Sequence, residues 1–79
     1  MISVWLPVQD DEENVSVWSK QIVAWLLGRR CKYEFDPWRC GTKTDADGFL
    51  VEVKVEDEET AGDLKTDWLV IRYLALDRP

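Results

Sequence analysis

Polar and apolar residues alternate at the start of the chain. In ISVWLPV (2–8), Ile2, Val4, Leu6 and Val8 fall on one side, the two-residue period of a strand with one buried face. Trp5 falls on the other side. Pro7 has no N–H to give to a ladder, so this strand belongs at an edge of its sheet or frays there. From Asp10 to Gly28 the period changes. Val15, Trp18, Ile22, Trp25 and Leu26 recur at spacings of three and four, which makes an apolar stripe along a helix. Asp10 or Asp11 is placed to cap it, and Glu12 and Glu13 fall in the first turn, where carboxylates meet the positive end of the helix dipole. Gly28 occupies the stop position, with Arg29 and Arg30 beside the last carbonyls.

CKYEFDPW (31–38) alternates again, Tyr33 and Phe35 against Lys32, Glu34 and Asp36, until Pro37 interrupts it. TDADG (44–48) is turn chemistry, and FLVEVKV (49–55) puts Phe49, Val51, Val53 and Val55 on one face. Residues 31–43 and 49–55 therefore read as a hairpin with an irregular first arm. EDEETAGDLKTD (56–67) is polar and turn-rich, with at most a short helical turn near Ala61. WLVIRYLAL (68–76) is apolar on both faces except at Arg72, and Val70, Ile71 and Tyr73 favour a central strand over a helix. The pattern predicts a single α+β domain over residues 1–79. Its order is β-α-β-β-β, one amphipathic helix packed on a mainly antiparallel sheet of about four strands.

Composition narrows the function classes. A chain of 79 residues buries only a modest core, but 46% of its residues are hydrophobic and five are tryptophan, which argues for a folded globule. No apolar run is long enough to cross a membrane, and the first residues lack the basic start of a signal peptide. With only Cys31 and Cys40, the expected setting is a reducing cytoplasm with free thiols. The net charge is −6 and the isoelectric point about 4.5, so direct binding to nucleic-acid phosphates is not expected. The charge is uneven: residues 1–28 balance at −3, residues 29–43 at +3, and residues 44–79 at −6.

The side chains that carry most chemistry are missing. There is no histidine, hence no histidine base and none to activate a thiolate on Cys31 or Cys40. Asp45, Asp47 and Gly48 invite a calcium-loop reading. That reading places Lys43 and Lys54 where the first and last ligands should be carboxylates, so a hairpin turn fits better. Carboxylate pairs are plentiful, but so small a domain has little room for a cleft that would tune one of them. No enzyme activity, metal or cofactor is expected. The Arg29-Arg30-Cys31-Lys32 cluster is explained by the end of the helix, with a second binding spot as the minority reading. Trp18 and Trp25 belong to the helical stripe and the core. Trp38, next to Pro37 and Arg39, and Trp5, opposite the apolar face, are either exposed anchors or caps of the core.

Two acidic runs remain, DDEE (10–13) and EDEE (56–59). Helix initiation accounts for the first. A solvated loop is the commoner meaning of such a run, but the second ends a predicted strand and enters a predicted loop, which local structure does not explain, and Asp63 and Asp67 extend it. Glu56, Asp57, Glu58, Glu59, Asp63 and Asp67, with Asp45, Asp47 and Trp38, are therefore the candidate partner-binding residues. Asp10, Asp11, Glu12 and Glu13 form a secondary set. The matching partner is a basic protein surface, such as the groove of a nucleic-acid-binding protein, which the carboxylates would occupy in place of nucleic acid.

A small single domain, the DDEE and EDEE runs, and the lack of a catalytic constellation together resemble the anti-CRISPR proteins of phages and mobile elements. The resemblance is one of size, charge and architecture over the whole chain. That family shares no motif, so no residue's role carries over. It implies a non-enzymatic inhibitor in the cytoplasm of a bacterial host. The target implied is a Cas surveillance-complex subunit, of the Cas7 or Cas8 type, whose recruitment of DNA is blocked. The alternative is a small structural or adaptor domain, a phage virion or host-assembly component, using an apolar interface with Trp5, Trp38 or the edge of the first strand. A monomer is expected.

Overall fold

The computed structural model describes residues 1–9, 12–46 and 48–76, and gives side chains for all of these except 12, 13 and 73–76. Six elements follow in the order β1 (Ile2–Pro7), α1 (Glu12–Arg29), β2 (Tyr33–Glu34), β3 (Thr42–Asp45), β4 (Gly48–Val55) and α2 (Glu58–Leu76). The fold is α+β, with two helices and a four-stranded antiparallel sheet.

β4 is the centre of the sheet. β1 pairs along one side, with Ile2, Val4 and Leu6 opposite Val55, Val53 and Val51. The alternation of both strands thus sends one set of β-branched and aliphatic side chains to a common face, where Val4, Leu6, Val51, Val53 and Val55 are buried. β2 and β3 share the other side of β4. Between them, Asp36 holds a tight turn: its carbonyl accepts the N–H groups of Arg39 (3.1 Å) and Cys40 (2.8 Å). Its Oδ1 takes the Trp38 N–H at 2.9 Å. Pro37 has no N–H to extend the ladder, so pairing lapses there and resumes where Glu52 donates to the Gly41 carbonyl at 2.8 Å. The irregular arm expected over residues 31–43 is therefore one strand split in two. Gly48 closes the β3–β4 hairpin with φ of +104°, a conformation that suits glycine.

α1 lays Trp18, Ile22 and Leu26 on the sheet, with Val15 and Trp25 half-buried beside them. It does not stop at Gly28. The helix continues to Arg29, and Arg30 takes the left-handed turn (φ 58°), donating its N–H to the carbonyls of Leu26 and Leu27 at 3.1 and 3.2 Å. The extension brings the Arg29 guanidinium to Asp63 at 2.5 Å and over the Trp25 ring, 5.7 Å from its centroid. Those contacts offset the small cost of a glycine in the last turn.

The C-terminal third differs most from expectation. Residues 56–67 are not a loop, and 68–76 are not a central strand: α2 spans Glu58–Leu76. Its buried positions are Thr60, Leu64 and Trp68, with Ala61 and Ile71 half-buried, a 3.6-residue period that begins inside the polar segment. Leu69 and Val70, which a central strand would bury, are 51% and 53% exposed. Packing of that stripe against the sheet overrides the strand preference of Val70 and Ile71. Trp68 anchors the helix by donating its indole N–H to the Pro7 carbonyl at 2.7 Å.

Both helices cover the same face, and they run antiparallel to each other, since Arg29 meets Asp63 while Trp25 meets Asp67. The other face of the sheet, with Ser3, Trp5, Glu52 and Lys54, carries no helix among the described residues. No helix among the described residues is long and apolar enough to cross a membrane.

Candidate interaction surface

The EDEE run starts α2. Asp57 is its N-cap: Oδ1 accepts the Thr60 N–H at 2.7 Å, and the Asp57 carbonyl accepts the Ala61 N–H at 3.1 Å. Bonds from the Thr60 N–H and hydroxyl hold the Asp57 carboxyl below its ordinary value, and Arg29 adds to this from farther away. Glu58 and Glu59 occupy the first turn, where the helix dipole favours them. The expectation that this run lacks a local structural reason is thus overturned. Helix initiation, the reason expected for DDEE, accounts for it.

The remaining acids of the segment also have partners. Glu56 Oε1 accepts the Lys32 N–H at 3.3 Å. Asp63 pairs with Arg29, and Asp67 accepts the Trp25 indole N–H at 2.7 Å. Only Glu58 and Glu59 are both exposed and without a role beyond the dipole among these six. Asp45 pairs with Gly48 at the far end of β4 from Glu56, about 23 Å along an eight-residue strand. Glu12 and Glu13 open α1, whose 18 residues separate them by about 25 Å from the Arg29 end where α2 begins. The candidate acids therefore form separate clusters, not one continuous surface. Asp10, Asp11 and Asp47, and the side chains of Glu12 and Glu13, lie outside the described residues.

Trp38 is the site residue with the clearest surface position. It is 76% exposed, on a turn held by three hydrogen bonds to Asp36. These bonds fix the backbone that carries the indole, so less backbone entropy is lost when it docks. Arg39 follows it, and Glu34 and Asp36 precede it on the same arm, all exposed. Beside the turn lies a shallow hollow of about 260 Å³ whose lining includes Glu34, Asp36, Arg39, Cys40, Glu52 and Lys54.

Trp5 is neither a free anchor nor part of the core. It is half-buried on the open sheet face under Lys43, whose Nζ sits 4.3 Å from the ring centroid. Gly41 lets this arrangement form: a Cβ there would come within 2.8 Å of Glu52 Oε1 and 3.4 Å of the Trp5 ring. Glu52 is also fixed by the Ser3 hydroxyl, which donates to its Oε2 at 2.5 Å.

Both cysteines are free thiols, half-buried, with Sγ 3.8 Å from the carbonyls of Leu26 (Cys31) and Pro37 (Cys40). Burial pushes the Cys40 thiol above its ordinary value, away from the thiolate a nucleophile requires. Among the described residues, no three metal-ligating side chains of the His, Cys, Asp or Glu type come together. The reasoning from sequence missed the ties between the helices, Trp25–Asp67 and Arg29–Asp63. Their signal depends on α2 being a helix antiparallel to α1.

No family model, no curated protein and no solved structure matches the chain.

Proposed function

We propose that the protein is a non-catalytic binding module that seats Trp38 in a basic protein surface. The observation that carries this reading is the 76% exposure of Trp38 on a turn fastened to Asp36. Tryptophan is among the residue types that dominate interface energies. Glu34 and Asp36 stand beside Trp38 together with Arg39, and the net charge of −6 over the whole chain favours a partner rich in lysine and arginine. A nucleic-acid-binding groove is the partner class whose cations such a module would occupy. Its finer form is an anti-CRISPR protein that blocks DNA recruitment by a crRNA-guided surveillance complex.

A second reading, an adaptor domain with an apolar interface, draws support from the structural roles of Asp57, Asp63 and Asp67. Acids that fasten helices need no binding partner to account for them. Affinity capture from a bacterial lysate at low and high salt, followed by competition with DNA for the captured protein, separates the two. Capture that weakens with salt and with Glu58→Lys/Glu59→Lys, together with displaced DNA, supports the inhibitor. Capture insensitive to both, yet lost in Trp38→Ala, supports the adaptor. Capture unaffected by Trp38→Ala overturns both.

A further inference from the structure

On the opposite edge of the sheet from Trp38, β1 is open. Val8 donates its N–H to the Phe49 carbonyl at 2.9 Å, so in an antiparallel ladder the even residues of β1 turn their main-chain groups to β4. The odd residues, Ser3, Trp5 and Pro7, turn theirs outward. Pro7 has no N–H, and its carbonyl is taken by the Trp68 indole, which closes that end. At Ser3 and Trp5 the outward N–H and C=O groups have no bonding partner among the described residues.

α2 runs beside this edge, and the two enclose a groove of about 670 Å³. Gly62, Lys65, Leu69 and Arg72 line one wall, and Trp5 and Lys43 stand on the other. In a protein of net charge −6, this groove gathers three cations against a single carboxylate, Asp45, among its described lining residues. Gly62 adds a separate sign. Glycine is unfavourable inside a helix, and beyond its chain neighbours and the backbone of its own helix no atom among the described residues lies within 4 Å of where its Cβ would be. That space lies open on the groove.

We propose that this groove takes an extended acidic segment of a partner protein, which adds as a strand to the β1 edge at Ser3 and Trp5. Its carboxylates then meet Lys43, Lys65 and Arg72, while Leu69 and Trp5 receive its apolar side chains. A second copy of the chain is a poor occupant, because β1 carries no acidic residue and the pairing would bring the cations of two grooves together. This surface is distinct from the one around Trp38 and succeeds or fails separately.

The test uses a fluorescent peptide of about six residues alternating glutamate and valine, titrated by anisotropy and by amide NMR. Saturable binding that shifts the amides of Ser3 and Trp5 is expected, with affinity about tenfold weaker when lysine replaces glutamate. Gly62→Leu projects a side chain into the groove from a position where a Cβ meets no neighbouring element, and should weaken binding by a similar factor while leaving Tm unchanged or raised. Methylating the peptide's alternate main-chain nitrogens should abolish binding, and Trp38→Ala should leave it intact. No saturation at millimolar peptide, equal affinity for the lysine peptide, or indifference to Gly62→Leu overturns the proposal. So does a dimer in sedimentation that protects the Ser3 and Trp5 amides.

Discussion

Trp25 donates its indole N–H to Asp67 at 2.7 Å, and this bond joins α1 to α2 across 42 residues of chain. Four residues on along α1, and four back along α2, Arg29 meets Asp63, so the two contacts repeat at one helical turn. Two contacts at matching intervals report both the antiparallel direction of the helices and their register. Each is solvent-exposed or half-exposed, so each is worth little alone. Asp67→Ala should cost roughly 0.5–1 kcal/mol and Asp63→Ala no more than about 1 kcal/mol in urea unfolding. Trp25→Phe combined with Asp67→Ala should cost less than the sum of the two, because each removes the same bond. Strict additivity would show that the bond does not contribute.

Leu64 and Leu69 separate the helical from the extended reading of the C-terminal third. Leu64 is fully buried, whereas Leu69 is 51% exposed. Leu64→Ala should cost about 2–5 kcal/mol by removing core contacts. Leu69→Ala should stay within about 0.5 kcal/mol, as surface changes do. A central strand over residues 68–76 would make Leu69→Ala the damaging change of the pair, and that order in a denaturant titration would refute α2.

The same residues show why part of the fold was legible in the sequence and part was not. β1, α1 and β4 each carry one clean period, so Val4, Ile22 and Val53 announce their burial by spacing alone. α2 hides its period at both ends. The stripe begins at Thr60, a polar residue, passes Gly62, and then enters a run in which exposed Leu69 and Val70 look the same as buried Trp68. Trp38 was legible as a surface candidate because a turn signal, Asp36-Pro37, precedes it. The grouping of the acids was not, since it depends on where α2 begins. Once Asp57 is an N-cap, the EDEE run has a structural cause and loses its weight as independent evidence for a partner.

Asp57 gives a pH-dependent signature. Its carboxyl is held below its ordinary value by Thr60, so the folded protein binds the proton less readily than the unfolded chain. A depressed folded value stabilises the fold at every pH above the unfolded carboxylate value. That contribution is lost as pH falls through the lower, folded value. Asp57→Ala should therefore lower Tm at neutral pH, and the gap to the natural protein should close in acid. Asp57→Asn, which retains an acceptor, should fall between them. A gap that widens as pH drops would contradict the capping role.

Trp38 provides the sharpest separation of stability from function. At 76% exposure its indole contributes little to the core, so Trp38→Ala should shift unfolding free energy by no more than about 0.5 kcal/mol. Asp36→Ala is the informative companion, because it removes the Oδ1 acceptor of the Trp38 N–H and loosens the turn without deleting the indole. If Trp38 docks as a rigid anchor, Trp38→Ala should cost about 2 kcal/mol or more of partner affinity. Asp36→Ala should cost a smaller amount, because a looser turn must be ordered when it docks. Equal affinities for the natural protein and both variants, measured by calorimetry against the captured partner, would remove Trp38 from the interface.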